Sequence, residues 1–148
     1  ALLAGCWPWP VRSRAFYPRA ALTDGNDPKV TAGDEFVFER CRGIFTHPML
    51  SGHCIYLVVA HDRVVENAKL FFPSADTHAA LKGVGGLGRD APAVRAPTGW
   101  IYIRQVRPDR IVADVDVAGV AADGETVFVR DRVTFKLTRV GAEPFLDF

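Results

Sequence analysis

The side chains best equipped for chemistry in this chain are three cysteines and four histidines. Cys41 and Cys54 can share a hairpin, because Gly43, Pro48 and Gly52 between them let the chain turn back. Three states compete for the pair: a disulfide, two buried free thiols, or a metal site helped by His47, His53 and His61. The metal state lacks the usual spacing, since neither Cys-x-x-Cys nor His-x-x-x-His occurs, and no metal is expected. A Cys54 nucleophile served by His53 is disfavoured too, because neighbours on a strand point to opposite faces.

The other constellations are weaker. Gly83, Gly85 and Gly88 match the dinucleotide fingerprint on paper, but Pro92 and Pro97 follow where a helix is needed, so the segment reads as a loop. Asp114 and Asp116 share a strand face, with Asp109 in the turn before them. Such carboxylates could serve a glycosidase or hold calcium, yet on a wet face they are ordinarily solvated charge. No Gly-x-Ser-x-Gly elbow occurs, and Ser51-Gly52-His53 matches no nucleophile motif. No catalytic residue and no cofactor is therefore expected, and the chain reads as a non-enzyme. With 148 residues, 49% hydrophobic and 24% charged, it is long and apolar enough for one packed domain. A net charge of +1 gives no electrostatic reason to bind nucleic acid.

The N-terminus reads either as a targeting signal or as a short apolar end with an ordinary cysteine. Leu3-Ala4-Gly5-Cys6 resembles the lipobox of bacterial lipoproteins, in which an apolar residue and two small residues precede an obligatory cysteine. The resemblance covers four residues. It implies cleavage before Cys6, lipidation of the Cys6 thiol, and a membrane-anchored protein in the bacterial envelope. Trp7, rather than Asp, follows the cysteine, which in the enterobacterial version of the family points to the outer membrane. An exported chain meets oxidising conditions, and there the Cys41/Cys54 pair reads as a disulfide. Trp7 and Trp9 suit a headgroup interface, or else cover one end of the core. Residues 1–28 thus read as signal-peptide remnant, lipobox and Pro-rich tether, and residues 29–148 as a single domain.

The elements that must position these residues are strands. In 110–117, Ile111, Ala113, Val115 and Val117 alternate with polar or smaller neighbours, a period of two. Segment 127–137 repeats the pattern, except that Asp131 interrupts the apolar row and predicts a bulge or a turn. Asp123-Gly124 predicts the hairpin between them. Further strands are expected over 35–41, 54–60, 64–72 and 100–106, with 54–60 central because both its faces are apolar. The one short helix is expected over 74–82, capped by Ser74 and stopped at Gly83, followed by a loop over 83–97. The fold expected is all-β: an antiparallel sandwich or small barrel of about seven to eight strands.

Trp100 and Tyr102 should stand opposite Ile101 and Ile103, partly exposed, as a platform for a protein partner. Phe145 and Phe148 make the C-terminus apolar enough to dock as well. The functional expectation is an accessory or structural subunit that binds a protein partner in an envelope assembly and a membrane through its anchor. Two alternatives are an inhibitor or immunity-type lipoprotein that plugs an enzyme with a loop, and a barrel that carries a lipid or sugar.

Overall fold

The computed structural model describes residues 11–25, 27–45, 50–84 and 92–141. Its strands are β1 (Val11–Leu22), β2 (Val30–Ala32), β3 (Glu35–Phe45), β4 (Leu50–Ala60), β5 (Lys69–Phe72), β6 (Thr77–Val84), β7 (Arg95–Val106), β8 (Arg110–Val120) and β9 (Thr126–Arg139). They form one sheet in the order β5-β7-β8-β9-β1-β3-β4-β6, with β2 added beside β1. All neighbours are antiparallel except β1 and β9, which pair in parallel from Arg14/Lys136 to Tyr17/Arg139. The sheet curls into a nearly closed barrel. Its two edge strands, β5 and β6, are consecutive in the chain and run in the same direction, one paired with β7 and the other with β4. A kink over residues 73–76 therefore carries a single stretch of chain from one edge to the other.

Period-two alternation explains the interior. Phe36 and Phe38, then Ile55, Leu57 and Val59, Ile101 and Ile103, and Val115 and Val117 all point into one core. Phe38 meets Phe135 edge-on at 4.9 Å between centroids. The space left among Phe38, Arg40, Ile55, Leu57, Val115, Val117, Val129 and Phe135 is about 10 Å³, room for about one water. These side chains pack closely at this level of the barrel. A second apolar cluster lies on the outside of β1, β3 and β4, where Phe16, Val37, Tyr56 and Val58 surround the cysteines.

Four local expectations need correction. Residues 11–22, read as part of a tether, form β1, which lies inside the sheet between β9 and β3. The prolines hid it: Pro18 sits where the β1–β3 register shifts between Phe16 and Ala20, so the missing amide costs no ladder bond. Residues 77–82, expected as helix, belong to β6, and Ser74 bridges Thr77 instead of capping a turn. Pairing with β4 outweighs the helix preference of Ala79, Ala80 and Leu81. Only Lys69–Phe72 of the expected 64–72 strand is extended, because His61–Arg63 is a single 3-10 turn and Asn67 takes a left-handed conformation. Asp131 causes neither bulge nor turn: β9 stays in register with β8 throughout, with Asp131 opposite Val115. Arg40 supplies the opposite charge. Burial lowers the pKa of its guanidinium, Asp131 opposes that shift, and Arg42 adds to it.

Candidate docking face and its supports

The outward side of β5, β7, β8 and β9 is the candidate site. Alternation puts Trp100 and Tyr102 on this side of β7, because Ile101 and Ile103 are fully buried on the other. Register then sets their neighbours. Phe71 lies across from Trp100, Lys69 from Tyr102, Asp116 from Trp100, and Asp114 from Tyr102. On β9, Arg130 faces Asp116 and Arg132 faces Asp114. Phe71 is 56% exposed and Phe128 55%, the highest values among the exposed phenylalanines of the described residues. Trp100 and Tyr102 are half-buried.

Cations sit over these rings. The Lys69 Nζ is 4.3 Å from the Trp100 ring centre and 5.6 Å from that of Phe71. Arg104 covers Tyr102 at 5.4 Å, and Arg130 covers Phe128 at 5.0 Å. The two aspartates are tied down by arginines. Asp114 accepts from Arg104 at 2.6 Å and from Arg132 at 3.0 Å, while Asp116 pairs with Arg130 at 3.4 Å. Burial pulls the Asp114 carboxyl upward, but the hydrogen bonds from Arg132 and Arg104 outweigh it and hold the group below its ordinary value. The oxygens of Asp114 are engaged by two arginines and Asp116 is paired with a third, so the two carboxylates serve to orient cations on this face. The face carries Lys69, Arg104, Arg130 and Arg132 against Asp114 and Asp116, so its balance is basic. Aromatic rings with arginines are the composition of protein-binding surfaces.

The opposite wall is built for rigidity. Cys41 and Cys54, cross-strand partners on β3 and β4, are bonded as expected, with Cα atoms 4.0 Å apart. Beside them Glu39 is only 2% exposed, yet it is a charge. It is held by the Arg14 Nε at 2.8 Å, the Arg12 Nε at 3.2 Å and the Tyr56 hydroxyl at 3.0 Å. Burial, reinforced by the Glu39 charge, raises the Tyr56 phenol well above its ordinary value. A buried carboxylate without such partners would be untenable.

The remaining sequence-derived candidates are scattered. His53 continues the inward row of Ile55 and Leu57 at one mouth of the barrel, whereas His61 and His78 are exposed elsewhere. The structure therefore does not gather the histidines around Cys41 and Cys54. Cys6, Trp7, Trp9, His47, Gly85, Gly88, Phe145 and Phe148 lie outside the described residues. Phe71, Lys69 and Phe128 were not singled out in the sequence. Register alone joins them to Trp100, and register is not readable until β5 and β9 are assigned. No family model matches the chain, and no curated protein or solved structure matches it.

Proposed function

We propose that the chain is a non-enzymatic module of the bacterial envelope, held to a membrane through lipidated Cys6, that docks a protein partner on the outer face of β5, β7, β8 and β9. The observation that carries the docking role is exposed Phe71 beside Trp100, with exposed Phe128 two strands away on the same basic face. Exposed rings grouped in this way are uncommon on a surface that stays solvated. The anchor rests on the lipobox-like Leu3-Ala4-Gly5-Cys6, and the disulfide fits export.

Two measurements test it. Mass spectrometry of the N-terminal peptide from envelope preparations should show acylated Cys6, and an unmodified peptide running through Cys6 sinks the anchor. A photo-crosslinking residue at Phe128 should give one discrete adduct in intact cells. That adduct should vanish with Phe71→Ser plus Trp100→Ala, and a crosslinker at Thr23 should give none. Equal labelling from both positions sinks the docking face.

A further inference from the structure

A group of ligand-type side chains converges at the mouth of the barrel. His53, from the inward face of β4, meets Asp123 and Glu125, from the β8–β9 turn, with one ligand atom of each within 4.8 Å of the others. Two separate elements supply the group, with His53 half-buried and the two carboxylates exposed yet close together. No ion pair or side-chain hydrogen bond joins the imidazole to either carboxylate. The contact within the group is the Glu125 amide donating to Asp123 Oδ1 at 2.9 Å, which shapes the turn. Arg42, across from His53 on β3, forms no salt bridge with them among the described residues. Three donors thus lie within reach of a single ion and do not satisfy one another.

We infer that His53, Asp123 and Glu125 hold a divalent transition ion of the zinc class. One nitrogen and two carboxylate oxygens suit zinc and its neighbours, whereas calcium and magnesium take oxygen donors. An ion at roughly 2.0–2.2 Å from each donor draws them in by about an ångström. The β8–β9 turn is exposed and can close by that much. Three protein donors leave the fourth position to water. The ion would clip the turn across the barrel to β4, two elements with no ladder between them. The inference departs from the sequence-based expectation of no metal, and it does not depend on the proposed docking role.

The test uses untagged full-length protein carrying Cys6→Ser, so that no free thiol competes. Titrated with Zn²⁺, it should bind one equivalent, and its melting temperature should rise by about 5–10 °C at one hundred times the dissociation constant. Co²⁺ should give visible absorption bands that Zn²⁺ removes. His53→Ala should weaken binding more than about 100-fold, beyond the loss typical of a supporting residue. Glu125→Gln, on an exposed turn where folding is not at stake, should do the same, while His78→Ala should change nothing. Binding that persists in His53→Ala or Glu125→Gln overturns the inference, as does a wild-type chain that binds no more tightly than millimolar.

Discussion

At the scale of single residues, Glu39 is the most consequential charge in the molecule. Its carboxylate is buried on the outside of the sheet and depends on Arg14, Arg12 and Tyr56. Glu39→Ala leaves Arg14, itself 6% exposed, without its counter-charge, and should destabilise by about 3–5 kcal/mol in urea unfolding. Tyr56→Phe removes only one hydrogen bond to that carboxylate and should cost about 1.5–3 kcal/mol. Tyr56 also sets an alkaline limit. Its folded-state value is raised above the ordinary 10.0, so its contribution is complete below pH 10.0 and is lost as pH climbs toward the folded value. Absorbance of tyrosinate should show Tyr56 ionising only as the fold is lost, and Tyr56→Phe should abolish that step. Acid acts in the opposite sense. Asp114 is held below its ordinary 3.8 and Glu66 below its ordinary 4.5, the latter by the Val106 amide and then by Arg107. Their contributions are present above those ordinary values and disappear as pH falls through the lowered ones. Both groups lie at the surface, so the acid effect should be small, and it should shrink in salt. Asp114→Asn should flatten the acid limb of a thermal-melt series between pH 2 and pH 5, as expected for a carboxylate whose folded value is lowered.

At the scale of elements, the strands legible in advance are those in which alternation dominates, with Asp131 the single interruption in β9. β8 and β9 could be read because Ile111 to Val117 and Val127 to Leu137 repeat every second residue. β4 could be placed centrally because Cys54 to Val59 is apolar on both faces, and it does lie between β3 and β6. β1 and β6 could not, since local chemistry argued otherwise. Pro18 and the arginines made β1 resemble a linker, and the alanines of β6 resembled a helix. Long-range pairing decided both, and a single sequence carries no direct record of pairing. The same limit hid the barrel-mouth cluster, because His53 and Asp123 are distant along the chain and meet only when the barrel curls. The β7–β8 ladder depends on one backbone position. Gly99 has φ +144°, and a Cβ there would run into the carbonyl of Asp116. Gly99→Ala should therefore destabilise by about 2–4 kcal/mol by calorimetry, whereas Gly124→Ala, in open space at φ +87°, should be milder. The β3–β4 hairpin carries the disulfide, and replacing Cys41 and Cys54 together by alanine should cost roughly 3 kcal/mol.

At the scale of the whole molecule, the interior and the exterior divide the work. A core with room for about one water is sensitive to truncation, so Phe38→Ala should cost about 3–5 kcal/mol and should open a cavity able to take up a small apolar probe that the native chain rejects. Reading fold class from sequence succeeded here because it needs only the period of the pattern. Trp100 and Tyr102 stand on the strand face where alternation put them, while their neighbours on β5 and β9 follow from the register. The stretch from Lys69 to Val84, which joins the first and last strands of the sheet, has a consequence of its own. It works like the seam of a sleeve. A protease that nicked the chain between Pro73 and Asp76 would leave every residue in place yet free both margins to part. The unzipped margins of β5 and β6 would then offer bare amides and carbonyls to other chains, and the nicked protein should form fibrils or precipitate well before it loses its strand content.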